Sequence, residues 1–238
     1  EKFGSKVGDT VLLHIYNALN SCLEEEELIC RAAGDHFFLL LKCSSEEEIL
    51  RRVSSMFEKL EKQLPAGSLT ASPSIAAGAY LIQHSEEEFI VLIDRAKQAG
   101  DKAQTGQCRL FDDSFEKQMK REYVLDESFQ HAIENHEFQL YIQPKLCPFQ
   151  EKVCGGEVLV RWQHPKFGIV YPGEFIPLFE RNGKICALDL YMFEETCRLL
   201  RSWLEKGTAV PLSVNLSRAH LISSDISFLD RFKAIKEA

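Results

Sequence analysis

The chain has 238 residues, enough for one large or two ordinary domains. Its apolar fraction of 45% is that of a packed globular protein, and its net charge of −8 disfavours non-specific binding to DNA or to an anionic membrane. A small anionic ligand held in a local positive pocket remains compatible with that charge. The longest apolar runs are too short to span a bilayer. No secretory signal is visible, and the first residues read as the interior of a longer sequence, which leaves room for a leader upstream. Of the eight cysteines, none forms a CxxC pair or stands at zinc-finger spacing from histidine, and most sit in apolar runs. They are read as reduced core thiols of a cytosolic protein.

Val11, Leu12, Ile15, Leu19 and Leu23 recur at helical spacing and predict a helix from Asp9 to Leu23, capped by Asp9. RAAGDHFFLLL, residues 31 to 41, follows the short apolar run Leu28-Ile29-Cys30. Two apolar runs joined by a Gly34-Asp35 corner read as a β-hairpin with a buried second strand, Phe37 to Leu41. SSEEE then starts a second helix, with Ile49, Val53, Met56, Leu60 and Leu64 on one face, ended by Pro65 and Gly67. Ser74 to Ile82 reads as a strand. HSEEEF opens a third helix, near 86 to 103. The acidic runs Glu46–Glu48 and Glu86–Glu88 each follow a serine at a helix start. Cation binding is one reading of them; a capping serine with acids favoured by the helix dipole is the preferred one. The charged stretch FDDSFEKQMKREY reads as a helical connector running into Val124–Asn135.

Beyond it, strands are predicted at Phe138–Leu146, Val153–Trp162 and Val210–Leu216, and helices near 173–181, 186–205 and 225–237. This order suggests a parallel α/β architecture. Strand side chains alternate between faces. Glu157, Leu159 and Arg161 therefore share one face, and Val158, Val160 and Trp162 the other. At ~3.3 Å per residue, Glu157 and Arg161 lie about 13 Å apart, too far to pair, so each needs another partner. A metal for the carboxylate and a phosphate for the guanidinium would serve. The same parity groups Ser213, Asn215 and Ser217, and also Gln139, Tyr141, Gln143 and Lys145. Three polar strand faces of this kind converge on one site if the strands share a barrel. If they belong to an antiparallel sheet, they can simply face solvent. The seven histidines form no HExxH or comparable cluster, and no GxSxG, P-loop or GxGxxG motif is present.

FQLYIQPK, GGEVLVRWQHP, FGIVYPGEFIPLFERNG and PLSVNLSRAHL together resemble the EAL domain, the cyclic di-GMP phosphodiesterase family. The resemblance covers about 100 residues to the C-terminus, and the signature triplet reads Glu157-Val158-Leu159 here. Residue by residue it implies Glu157 and Asn215 as metal ligands, Glu157 being catalytic, and Gln143, Leu159, Arg161 and Pro172 as lining the dinucleotide pocket. It also implies Mg²⁺ or Mn²⁺, with two ions in a complete site. The altered Val158 faces away from Glu157, so parity predicts that it is tolerated.

FGSKVGDTVL, RAAGDHFFLL and SIAAGAY resemble the GGDEF domain, the diguanylate cyclase family that commonly precedes EAL. The signature hairpin reads Ala33-Gly34-Asp35-His36-Phe37. His36 replaces an acidic metal ligand of the family, and an imidazole is a poor ligand for Mg²⁺. Ala33 adds a Cβ where the family uses Gly to admit nucleotide. Glu24 to Glu27 stand where the family's feedback site has an Arg and an Asp. The family's opening strand, with its other metal carboxylate, is not found in this chain. Cyclase activity is therefore not expected.

The expected architecture is α/β. Residues 1–113 form a degenerate GGDEF-like α+β domain with a central, mostly antiparallel sheet, and 114–136 form a helical connector. Residues 137–238 form the first part of an EAL-type, TIM-like (β/α) barrel. Such a barrel usually needs about 250 residues, and Tyr123 to Ala238 supplies fewer than half. The chain is accordingly read as cut at both ends, with the family's remaining acidic ligands and catalytic lysine beyond Ala238. Two functions from different classes follow. One is hydrolysis of cyclic di-GMP to linear pGpG by the intact protein, with the first domain as a regulatory or dimerising module. The other is a non-catalytic cyclic di-GMP receptor. A third option lets the first domain bind GTP and tune the second. The expected location is the bacterial cytoplasm, or the cytoplasmic part of a larger protein, with homodimerisation open and no DNA partner.

Overall fold

A computed structural model of the protein describes residues 5–32, 34–63, 74–83, 86–147, 152–208, 210–222 and 228–237. It divides into two units, 1–118 and 119–238. Among the described residues no helix is long and apolar enough to cross a membrane.

The first unit opens with α1 (Ser5–Asn20). Asp9 lies inside this helix and does not cap it. The helical residues before it, Ser5 to Gly8, include no proline and one glycine, whose cost of about 1 kcal/mol is too small to stop a helix. β1 (Leu28–Arg31) and β2 (Phe37–Leu40) form the expected antiparallel hairpin, with Arg31 opposite Phe37. The Arg31 guanidinium closes it by donating to the Gly34 carbonyl at 2.9 and 2.7 Å. Gly34 takes φ +64°, a value glycine adopts freely. The second strand is not buried throughout, because the pleat turns alternate residues outward. Ile29, Phe37 and Leu39 pack on the core of Ile15, Ala18, Leu19, Met56 and Leu60, while Leu40 is 48% exposed.

α2 (Glu46–Gln63) starts as SSEEE predicts. Ser45 Oγ accepts from the Glu48 N–H at 3.2 Å, and the Glu48 carboxylate accepts from both N–H and Oγ of Ser44 at 2.8 and 2.9 Å. This is a reciprocal cap. Leu64, Pro65 and Gly67 lie outside the described residues. β3 (Ala77–Ala79) is the centre of the longer strand expected. It pairs in parallel with β4 (Cys108–Leu110), after α3 (Phe89–Asp101) has crossed back over it. Gly78 permits that packing: a Cβ there would lie 2.0 Å from the Ala96 carbonyl oxygen of α3. The run SIAAGAY is thus explained by a helix seated on a bare strand. The serine of HSEEEF lies outside the described residues, and α3 begins after Glu88 without a side-chain cap. Glu87 instead pairs with Arg95 and accepts from Tyr80 at 3.0 Å. The described strands of this unit form two two-stranded ladders, one antiparallel and one parallel, rather than one mostly antiparallel sheet.

The charged stretch is helical: α4 (Asp113–Glu127) starts where Asp112 accepts from the Phe115 N–H at 2.6 Å, and α5 (Phe129–Glu134) follows. The second unit is built around a sheet of four strands, β5 (Phe138–Cys147), β6 (Lys152–His164), β7 (Gly168–Val170) and β8 (Leu212–Val214). β6 is antiparallel to β5 and β7 and parallel to β8, so only one of the three pairings has the expected parallel sense. A parallel crossover needs about a dozen residues, and the link from Cys147 to Lys152 is far shorter. Among the described residues no closed barrel forms.

α6 (Pro172–Asn182) begins with proline in its first turn and ends at Gly183, φ +80°. α7 (Ile185–Glu205), the short α8 (Ala219–Ile222) and α9 (Phe228–Glu237) complete the unit. Its core gathers Leu125, Phe129, Phe138, Val158, Trp162, Phe175, Phe179, Ile185, Leu188 and Met192. Trp162 is fully buried, and its indole N–H donates to Glu137 at 2.9 Å. All eight cysteines are free; Cys30 and Cys154 are exposed and the other six half-buried, with Cys22 and Cys186 packed against the two cores.

Charge also fixes the first unit. The Glu27 carboxylate is buried and receives Arg52 on both oxygens, with backbone N–H groups of Glu24 and Lys42 at 2.8 and 2.7 Å. Hydrogen bonds from Arg52, opposed by burial, hold its pKa down to about 2. Because the folded value lies below the ordinary 4.5, the stabilisation is complete above about 4.5 and is lost as pH falls toward 2. Urea midpoints of the protein are expected to fall between roughly pH 5 and pH 3, and to fall less in Glu27→Gln, which is weaker at neutral pH. Identical pH slopes in the two proteins would contradict this assignment.

Candidate functional site

Register brings the three polar strand faces together. β5 sets Gln143 opposite Glu157, Tyr141 opposite Leu159 and Gln139 opposite Arg161, while β8 sets Ser213 opposite Glu157. Directly paired residues point to the same side of a sheet. The other side carries Val158, Trp162 and His164, all buried. The His164 imidazole lies against the Ser128 hydroxyl at 3.3 Å and accepts from the Lys166 N–H at 3.0 Å, and burial pushes its pKa down. It is a satisfied core histidine.

Two glycines set the spacing. A Cβ on Gly155 would lie 2.9 Å from the Pro211 carbonyl oxygen, and one on Gly156 would lie 2.6 Å from the Ile142 side chain. The bare backbone lets β8 come close, with the Gly156 N–H donating to Pro211 at 3.0 Å. The GG of VCGGEVL thus gives room for Pro211, just before β8, and for the Ile142 and Leu212 side chains beside the strand that carries Glu157. The Asn215 amide nitrogen donates to Glu157 Oε1 at 2.8 Å, while Lys145 Nζ stands 3.8 Å from Glu157 Oε2 and donates to Ser213 Oγ at 2.7 Å. A half-turn of the Asn215 amide exchanges nitrogen for oxygen and gives two hard oxygen donors, the kind that Mg²⁺ or Mn²⁺ takes. Among the described residues no group of three or more His, Cys, Asp or Glu side chains gathers at one point. Glu157 and Asn215 thus fit a divalent ion as part of its donor set.

Arg161 and Glu157 each find separate partners, as their separation requires. The Arg161 guanidinium carbon lies 5.6 Å from the Tyr141 ring centre and 5.5 Å from that of Tyr171, and Nη1 donates to the Val160 carbonyl at 2.8 Å. Both rings lie within cation–π range of the guanidinium. Tyr171 immediately precedes Pro172, so the start of α6 delivers both residues to this end of the sheet. Leu159 is half-buried between Glu157 and Arg161, and Gln143 is exposed opposite Glu157.

In the first unit, Gly34, Asp35 and His36 form the exposed hairpin tip, with His36 Nε2 3.9 Å from Asp35, and Phe37 begins β2. Ala33 lies outside the described residues.

Sequence reasoning placed Lys145 and Ser213 on the right faces without assigning them to Glu157. It missed Tyr171, which falls between the strand expected to end at Trp162 and the helix expected near 173, where no periodicity assigns it a face. It also missed Asp189 on α7. Asp189 is buried, and its carboxylate accepts from the Ser217 N–H at 2.8 Å, with His220 Nε2 at 3.0 Å. Burial pushes its pKa up, and the Ser217 N–H opposes that shift. A lone acid in the apolar run ICALDLYMF was the available signal.

The chain matches two family descriptions in succession, "Diguanylate cyclase, GGDEF domain" over residues 1–108 and "EAL domain" over residues 126–238. It is 28% identical over 227 residues to the bifunctional diguanylate cyclase/cyclic di-GMP phosphodiesterase MucR of Pseudomonas aeruginosa, covering 91% of this chain and 32% of that protein. It is 26% identical over 240 residues to the cyclic di-GMP phosphodiesterase PdeR of Escherichia coli, covering 100% of this chain and 35% of that protein. The chain thus spans about a third of the length of these relatives. The solved S helix–GGDEF–EAL region of Vibrio cholerae LapD, bound to cyclic di-GMP, matches 96% of this chain and 53% of its own. The TM-score is 0.52 at 18% identity, a likeness of fold.

Val158 is 4% exposed on the core side of β6, so its side chain contributes packing and stays clear of Glu157. Val158→Ala, which restores the family triplet, is expected to cost about 2 kcal/mol of stability in urea denaturation. Ligand affinity should not change. A shift in affinity larger than the loss of stability would contradict the parity argument.

Proposed function

The chain joins a GGDEF domain to an EAL domain, and from that premise we propose that the intact protein hydrolyses cyclic di-GMP to the linear dinucleotide pGpG. The observation that carries this reading is the meeting of Glu157 and Asn215, 58 residues apart in sequence, at 2.8 Å on one polar sheet face. Glu157 and Asn215 would hold part of a Mg²⁺ or Mn²⁺ site. Such ions, when bound, activate water and stabilise charge on a phosphate in transit. Arg161, beside the rings of Tyr141 and Tyr171, binds a phosphate of the dinucleotide. Gln143 orients the substrate across from Glu157, while Leu159 and Pro172 supply apolar contact. The first domain serves as a regulatory or dimerising module. At its hairpin tip His36 stands where a hard cation would need an oxygen, so GTP there would act as a regulator rather than a substrate.

One observation favours a second reading. Lys145 stands beside Glu157 and already offers that carboxylate a positive partner from within the chain. A receptor that binds cyclic di-GMP without metal, and leaves it intact, fits that arrangement.

Both readings are tested in the full-length protein by chromatography of the nucleotide after incubation with Mn²⁺. Hydrolysis to pGpG is expected, with Glu157→Ala at or near background. Undiminished turnover in the variant would sink the assignment of Glu157. Tight binding without Mn²⁺, and no product with it, would establish the receptor instead.

A further inference from the structure

Asn215 leaves the sheet as soon as it is needed. β8 ends at Val214, just before Asn215, and Leu216, which follows Asn215, is exposed. Two helices then take hold of the chain. Asp189 of α7 accepts the Ser217 backbone N–H at 2.8 Å, and Glu180 of α6 accepts the Ser217 hydroxyl at 2.9 Å. The same Asp189 oxygen lies 3.0 Å from His220 Nε2, so one carboxylate oxygen ties both ends of the turn from Ser217 to His220. Within that turn, the Ala219 N–H reaches Ser217 Oγ at 3.3 Å and the His220 N–H reaches the Ser217 carbonyl at 3.4 Å. The His220 imidazole is 5% exposed and lies 5.6 Å and 5.7 Å, between ring centres, from Phe228 and Phe232.

A buried acid on an apolar helix is costly unless its hydrogen bonds are fixed by the surroundings. Here both bonds from Asp189 are spent on the segment that begins two residues after Asn215. We infer that Asp189, with His220, is a positioning pair that sets where the Asn215 side chain stands relative to Glu157. Neither residue touches Glu157 or Asn215 in the contacts described above. Their effect passes through the backbone of Ser217, as partners behind a metal ligand commonly act.

The inference rests on reading Glu157 and Asn215 as cation ligands, so its test reads cation binding directly. Free Mn²⁺ is titrated by electron paramagnetic resonance against the full-length protein and its Asp189→Ala and Asp189→Asn variants. Hydrolysis of cyclic di-GMP is followed in parallel. Asp189→Ala is expected to weaken Mn²⁺ binding about tenfold or more. Excess Mn²⁺ should restore kcat, and KM for the dinucleotide should stay within about twofold of the wild type. Asp189→Asn keeps an acceptor for Ser217 and should lose less. Unchanged Mn²⁺ affinity in a folded variant would overturn the inference, as would a rise in KM with Mn²⁺ affinity intact. If circular dichroism finds Asp189→Ala unfolded, Asp189→Asn carries the same two outcomes. A wild type that binds Mn²⁺ but leaves cyclic di-GMP intact counts against the hydrolysis reading alone, because the Mn²⁺ titration still decides the positioning. A wild type that binds no Mn²⁺ overturns the positioning as well.

Discussion

The burial of Trp162 sets the phase of β6, and the polar face follows from it. The ring is packed among Phe138, Phe175 and Phe179, with centroid separations of 4.8, 5.7 and 5.9 Å, and its only polar atom is satisfied by Glu137. Removing such a buried aromatic ordinarily costs about 3–5 kcal/mol. With Trp162 inward, Val158 and Val160 turn inward too, and Glu157, Leu159 and Arg161 must turn outward. A slip of one residue would bury a carboxylate and a guanidinium and expose the indole. The core thus specifies the side of the sheet on which the charged groups stand, without contacting them.

Proximity across strands depends on a second constraint, the bare backbone at Gly155 and Gly156. At Gly155 a Cβ would press on the Pro211 carbonyl oxygen, so the bare backbone eases the approach of the segment that enters β8, where Ser213 stands opposite Glu157 and Asn215 lies within hydrogen-bond reach of it. From there the geometry is held by charge. Lys145 spans Ser213 and Glu157, and Asp189 holds the turn that follows Asn215. Among the described residues Arg161 lies beside aromatic rings and forms no ion pair with a carboxylate, an arrangement compatible with an anionic ligand. This local positive group on a chain of net charge −8 is the kind of feature that overall charge does not exclude.

Strand phase was legible in the sequence because a period of two leaves only two faces to choose between. The hairpin around Gly34 and the capping box at Ser44–Glu48 were legible because both are local. What one strand cannot state is its neighbour: the contact from Asn215 to Glu157 depends on register between strands 58 residues apart. The antiparallel sense of β5 and β6 was available from the short link between them, and the strand-and-helix alternation obscured it. β7 was too short to produce a periodic signal. The Asp9 cap failed because the helix had an unopposed way to begin earlier. Asp189 was hidden by its setting, since an acid at a buried stripe position reads as an interruption until the turn that it holds is known.

Both proposed readings require that the polar face of β6 recognise cyclic di-GMP, with Arg161 as the proposed phosphate contact. Calorimetric titration of cyclic di-GMP into the full-length protein and its Arg161→Leu variant tests this most directly. A loss of affinity of about tenfold or more, with the unfolding temperature unchanged, is the predicted result. Equal affinity in the two proteins would place the ligand elsewhere and contradict the account.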